Sequence, residues 1–284
     1  MNGPSNRAPV VVGADVSAPS SVALEWAAED SIRRKRPLRI VHAMDLAGYF
    51  AGPPAAKAFA APMIVESAYE IAVGVAADAL ARVRGGGRHP AVTAHVAPGA
   101  PAAVLRDAGR DAVEIVIGHR PRNEVIDLLF GSVALALAAR ADAPVVVAKR
   151  ATARPYDDVV VFLEPGPAPD ALLGYAFRTA SAHGVRLRVL RAGSATGPSL
   201  GRWRRLHPEV RVHEQRCDGD ARSALLAASV AARLLVVEAR RPMGVLAWRR
   251  PWGLARLIRR SACPVAIVPA PSDSGRPGPS PAAP

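Results

Sequence analysis

The sequence predicts an α/β protein in which a parallel sheet, covered by helices on both faces, is made twice in one chain. Three observations carry this. The length, 284 residues, is close to twice the size of an ordinary domain. Short β-branched runs alternate with longer stretches of helical periodicity, the pattern of strand and crossover helix. The second half then repeats the first. Composition agrees: apolar residues make up 50% but aromatics only 5%, which suits helix–sheet packing by Ala, Val and Leu. Charged residues at 21% and a mean hydropathy of +0.13 argue against a disordered chain. No apolar run is long enough for a bilayer, and the polar start MNGPSNRAP reads as no secretory signal.

The elements follow in order. VVVGAD (residues 10–15) is a buried parallel strand, because β-branched residues run without polar alternation. Ser17 to Ser21 supplies capping chemistry, and VALEWAAEDSIRRK continues as a helix with a basic last turn. PLRIVHA (Pro37–Ala43) is the second strand, followed by a helix over Met63–Arg84 and a strand over Ala91–Val96. A helix at Ala102–Arg110, a strand at Val113–Gly118, a helix at Leu128–Arg140 and a strand at Val145–Ala148 complete the first copy.

In the second copy, DDVVVFLEPG answers APVVVGADVS, RLRVLRA answers PLRIVHA, ARLLVVEARR answers AVEIVIGHRP, and ACPVAIVPA answers DAPVVVAKR. The offset is 149 residues at Asp15/Glu164 and Val41/Leu190, and 120 from Gly99/Gly219 through Pro144/Pro264. The 29 missing residues fall on the second helix and its loop, leaving a short Leu200–Leu206 segment. The expected division is 1–150, 151–271 and a disordered Pro/Gly/Ser-rich tail over 272–284, with a polar linker near 150–156.

Ligands of such sheets sit beyond the carboxyl ends of the strands where strand order reverses. Asp15, Val41-His42 and the stretch from Gly118 lie at those ends in the first copy. Asp15 can accept hydrogen bonds from a ribose or adenine, and equally can cap the following helix. Gly118 permits close backbone approach, and Gly131-Ser132 opens an apolar helix whose N–H groups and dipole suit a phosphate.

The spacing Gly118, two residues, Pro121, nine residues, Gly131-Ser132 resembles the nucleotide motif of the universal stress protein family, as do VVGADVSAPSSVALEWA, PLRIVHA and DAPVVVA. The resemblance covers essentially the whole chain as two tandem copies. It implies Rossmann-like five-stranded domains with strand order 3-2-1-4-5, paired through their last strands. It also implies a regulatory rather than enzymatic role with ATP as ligand. Asp15 then matches the adenosine-contacting Asp, Val41 the residue whose backbone meets adenine, Gly118, Gly131 and Ser132 the phosphate motif, and Arg122 the basic position within it. Pro121 replaces the family's second glycine and removes an N–H donor, which weakens the cradle; Val16 stands where the family usually has Gly. In the second copy Glu164, Glu238, Arg241, Pro251 and Trp252 occupy the positions of Asp15, Gly118, Pro121, Gly131 and Ser132, and no phosphate cradle remains.

Net charge is +13, of which the first 150 residues hold +3 and the remainder +10. Arg240–Arg260 carries seven Arg together with Trp248 and Trp252. It reads either as a solvated surface or as an anion- or nucleic-acid-facing patch. Cys217 and Cys263 show no metal or disulfide spacing and fit a reducing cytoplasm, with Cys263 a small buried hydrophobe. The histidines have no metal-ligand spacing, and no catalytic nucleophile motif is present. A nucleotide-independent protein-interaction module and a slow ATPase stay open as rivals.

Overall fold

The computed structural model describes residues 7–45, 54–85, 91–119, 132–150, 158–164, 170–192, 200–217, 220–239 and 253–270. The first copy contributes β1 (Val10–Gly13), α1 (Ala18–Arg33), β2 (Leu38–Met44), α2 (Pro54–Gly85), β3 (Val92–Pro98), α3 (Pro101–Ala108), β4 (Glu114–Gly118), α4 (Ser132–Arg140) and β5 (Val145–Ala148). The second contributes β6 (Asp158–Leu163), α5 (Asp170–His183), β7 (Leu187–Ala192), α6 (Gly201–Leu206), β8 (Val212–Cys217), α7 (Ala221–Val230), β9 (Ala232–Ala239), α8 (Leu254–Arg260) and β10 (Val265–Pro269). The proposed linker beyond Arg150 and the proposed tail lie outside the described residues.

All ten strands form one sheet in the order β3-β2-β1-β4-β5-β10-β9-β6-β7-β8. Each half has the order 3-2-1-4-5 and is parallel throughout. The halves meet where β5 and β10 pair antiparallel, Val146 opposite Ala266. The five-stranded parallel sheet expected of each copy is present, and the expected pairing through the last strands makes the two sheets halves of one continuous sheet. A four-residue strand made only of Val and Ala, buried at every position, would otherwise leave an unpaired edge.

Register bears out the repeat residue by residue. Gly13 lies opposite Val41 and Phe162 opposite Leu190; Val10 lies opposite Glu114 and Val159 opposite Leu234. His95 opposite Val41 is answered by Gln215 opposite Leu190, so the offset has already fallen to 120 at the third strand. One face of the sheet is covered by α1, α2, α5 and α6, with Val12, Ile40, Val161 and Val236 beneath them. The other is covered by α3, α4, α7 and α8, with Val11, Ile115, Leu190 and Val265 beneath.

Most boundaries move by one to three residues, and α2 moves most. It begins at Pro54, nine residues before the expected start, and runs through Pro62. A proline reads as a helix start from sequence, but PAAKAFAA has enough intrinsic helix propensity to extend the helix before it. In the second copy α6 replaces this long helix. Its Trp203 lies against Gly174 of α5, where a Cβ would come within 2.7 Å of the indole, and stacks on Phe177 at 6.0 Å between centroids.

Candidate functional site

The carboxyl ends of β1, β2 and β4 define the candidate site, at the point where sheet order turns from β2-β1 to β4-β5. Asp15 follows β1 and is exposed. Its Oδ1 accepts the backbone N–H of Ser17 at 2.8 Å and the Ser17 hydroxyl, while its own N–H donates to the Ser20 hydroxyl at 2.8 Å. This turn aims the chain into α1, whose N-cap is Ser17 and whose first turn holds Pro19. Asp15 therefore folds the turn that precedes the helix, and Ser17 rather than Asp15 is the N-cap. The carboxylate stays on the exposed rim of the edge.

Val16, 86% exposed, needs no glycine. Among the described residues the one non-glycine with positive φ is Lys35, so the turn after β1 adopts a backbone that valine tolerates.

Val41 is buried, and its carbonyl accepts the Ala14 N–H at 2.9 Å. Beyond it β2 outruns β1. There the His42 Nδ1–H donates to the Ala14 carbonyl at 2.7 Å. An apolar floor of Met44, Ala68 and Ala72, with Val96 against it, lies between α2 and these strand ends.

Gly118 ends β4. A Cβ there would come within 2.2 Å of the Pro19 carbonyl oxygen, so glycine is required for β4 to pass the first turn of α1. The close approach it permits is to the protein's own backbone. Next to it, His119 donates its N–H to the Ala148 carbonyl at 3.0 Å, while its Nε2 is buried with no partner among the described residues. Burial and the nearby Lys149 ammonium hold this imidazole below its ordinary proton affinity.

Lys149, at the end of β5, reaches across to the second copy. Its Nζ donates to the carbonyls of Arg259 and Ser261 at 3.0 and 2.7 Å, capping α8 at its C-terminus. Ser132 is the first residue of α4. Pro121, Arg122 and Gly131 lie outside the described residues. Among the expected site residues, then, Asp15, Val41, Gly118 and the backbone start at Ser132 share one face of the fold. His119 and Lys149 join that edge, although the motif spacing had not singled them out.

The second copy is built differently at the same edge. Glu238 stands at the Gly118 position, opposite Val268, with its carboxyl pushed up by burial. Arg191 and Arg204 both pair with Glu214, each at 2.8 Å, over the ends of β7 and β8. Arg240 to Trp252, including Arg241, Pro251 and both tryptophans of the basic stretch, lie outside the described residues. Cys217 and Cys263 are buried, the Cys263 thiol being pushed up to about 12 by burial. Among the described residues no group of three or more His, Cys, Asp or Glu could hold a metal ion, and no helix is long and apolar enough to cross a membrane.

A model of the universal stress protein family matches residues 6–149. A universal stress protein of Mycobacterium tuberculosis (strain ATCC 25618 / H37Rv) is 29% identical over 288 residues, which covers 92% of this chain and 99% of the relative. One from Mycolicibacterium smegmatis (strain ATCC 700084 / mc(2)155) is 26% identical, covering 91% and 96%. Among solved structures, a universal stress protein from Archaeoglobus fulgidus DSM 4304 superposes with a TM-score of 0.69 at 18% identity, covering 94% of this chain and 98% of that one. That likeness spans both copies and the fold they share.

Proposed function

The chain belongs to the universal stress protein family, and from that premise we propose that it is a regulatory module in which the first copy binds an adenine nucleotide and the second has given up its site. The observation that carries this reading is the convergence of Asp15, the end of β2 at Val41-His42, Gly118-His119 and the start of α4 on one carboxyl edge. Asp15 would accept from the ribose hydroxyls or adenine, the apolar floor at Met44 would lie beside the base, and α4's N-terminal N–H groups would face phosphate. The unpartnered His119 Nε2 supplies a polar contact that the described residues leave open, which fits a polar ligand at the phosphate end. Arg122 and Gly131 complete the cradle by sequence. The role of the ligand here is occupancy, read out through the capped seam with the second copy, rather than turnover.

Calorimetry with ATP and AMP tests the proposal on three forms of the chain. Asp15→Ala should weaken binding by about tenfold, the worth of a hydrogen bond to a charged group. Pro121→Gly restores an N–H donor to the phosphate loop and should tighten ATP by about tenfold, with less effect on AMP. If neither wild type nor Pro121→Gly binds either nucleotide, the proposal fails and the result favours the nucleotide-independent interaction module.

A further inference from the structure

The two copies meet along α1, α5 and the ends of β4 and β9, and this seam buries a polar cluster that the nucleotide edge does not use. Asp30 and Arg34 come from α1, Glu114 from β4, Tyr175, Thr179 and His183 from α5, and Arg233 from β9. The repeat relates Asp30 to Thr179 and Arg34 to His183, so the copies present different chemistry to one another at equivalent places. Asp30, Glu114, Tyr175, Thr179 and His183 are all buried. Arg34 Nε donates to Asp30 at 2.5 Å and its Nη2 to Thr179 at 2.8 Å, with the guanidinium over the Tyr175 ring.

His183 sits between an acceptor and a donor. Its Nε2 lies 2.6 Å from Asp30 Oδ1, and its Nδ1 lies 2.8 Å from Arg233 Nε. A guanidinium N–H can only donate, so Nδ1 must be the accepting nitrogen and Nε2 must carry the hydrogen. The surroundings therefore fix a single neutral tautomer. The same Arg233 guanidinium reaches across the seam from Nη2 to Glu29 Oε1 at 2.5 Å. Trp26 of α1 stacks on the imidazole at 6.1 Å.

We propose that His183 is a proton-released latch between the two copies: neutral, it is held between Asp30 and Arg233 and closes the seam; protonated on Nδ1, it expels the Arg233 guanidinium and loosens α5 from α1. A second proton would point at an Arg N–H with no acceptor between them. Because one guanidinium spans both His183 and Glu29, displacing it also breaks the cross-copy pair with Glu29. The groups facing His183 include Asp30, Glu29, Arg34 and Arg233, with Glu114 and Arg178 farther along the same seam. Asp30 is the one carboxylate bonded to the imidazole and it serves Nε2, while Glu29 is shared between Arg33 and Arg233; a proton added at Nδ1 meets the Arg233 guanidinium and no acceptor. Burial first, then Arg233 and Arg34, hold the imidazole below its ordinary proton affinity, while Asp30 opposes them. Stability from this group is present above the ordinary histidine value near 6.5 and is lost as pH falls below it.

The test uses the full chain with nitrogen-15 NMR of the imidazoles and hydrogen exchange of the α1 and α5 amides, corrected for the intrinsic pH dependence. The expected result is a neutral Nε2–H tautomer at pH about 7, followed on acidification to about 5 by protonation together with roughly tenfold faster exchange in both helices. His183→Gln, which cannot gain a charge, should show no such rise. Arg233→Met should move His183 protonation to higher pH, and this readout stands even if His183→Gln fails to fold. Protonation near the ordinary value with unchanged exchange would overturn the latch, as would an Nδ1–H tautomer at neutral pH. An equal acceleration in His183→Gln would place the acid sensitivity elsewhere.

Discussion

Both carboxylate oxygens of Glu114 are buried; Oε2 accepts from Tyr175 Oη at 2.6 Å and from Arg34 at 3.4 Å, whereas Oε1 finds no donor among the described residues. Burial and the neighbouring Asp30 carboxylate push the Glu114 carboxyl up to about 8. In the unfolded chain it titrates near 4.5, so the native state holds the extra proton between those values. Stability from this group is complete below the unfolded value and is lost as pH rises toward 8. Glu114→Gln keeps the neutral shape, and should raise stability by about 1–3 kcal/mol at alkaline pH while changing it little near pH 5. Urea midpoints at the two pH values check this; a variant less stable than wild type at alkaline pH would show that Glu114 works as an anion. None of this was legible in the sequence. Asp30 sits in the run AAEDSIRRK, where a charged residue reads as part of a solvated face, and only the packing of α5 on α1 buries it. The nucleotide edge was more legible, because Asp15 and Gly118 follow β-branched runs directly. What the sequence reading missed there is that Gly118 accommodates Pro19 of the chain itself.

At the scale of elements, the repeat provides its own control. Helices α1 and α5 end in the same C-terminal motif. Lys35 N–H bonds to the Ile32 carbonyl and Arg36 N–H to Ser31, and the equivalent bonds run from Gly184 to Ser181 and from Val185 to Ala180. Both motifs need a left-handed residue just past the helix; Gly184 has φ 65° and Lys35 φ 54°. A side chain there costs about 1–2 kcal/mol, partly offset by the entropy glycine loses on folding. Lys35→Gly should therefore stabilise the chain by about 0.5–1 kcal/mol. Gly184→Ala should cost a similar amount, because no atom lies within 4 Å of the added Cβ and only the backbone term remains. Thermal unfolding of both variants compares the two helices directly; destabilisation by Lys35→Gly would mean that the lysine side chain contributes a contact that outweighs its backbone strain. The second-strand arginines repeat in the same way. Arg39 donates to the Ala108 carbonyl at the end of α3, and Arg188 to Ala228 near the end of α7. Strand positions were readable because each is a short β-branched run, whereas helix starts were not. Pro62 is a start signal by sequence and an interior residue of α2 in the fold.

The whole molecule is one sheet because β5 and β10 have little alternative. Val145, Val146 and Val147 face Ile267, Ala266 and Val265, each at most 1% exposed, and both strands are too apolar to stand as edges. The outer edges differ in kind. β8 carries His213, Glu214, Gln215 and Arg216, all exposed, which is how an edge is kept from pairing. Across the join, Lys149 caps α8, and the Asp30–His183 and Glu114–Tyr175 bonds tie α1 and β4 to α5. Antiparallel pairing through equivalent strands is an isologous contact made within one chain, so the first copy alone retains a strand edge able to pair with its own copy, without the polar partners of the seam. Residues 1–150 expressed alone should therefore sediment as a dimer at high concentration, because β5 would otherwise stand as a bare apolar edge. Adding residues 151–284 should convert it to a one-to-one complex, because the polar seam then regains its native partners: Asp30 with His183, and Glu114 with Tyr175. Analytical ultracentrifugation distinguishes the species by mass. A first copy that stayed monomeric at high concentration and ignored the second would mean that the linker, rather than the β5–β10 contact, holds the two halves in one sheet.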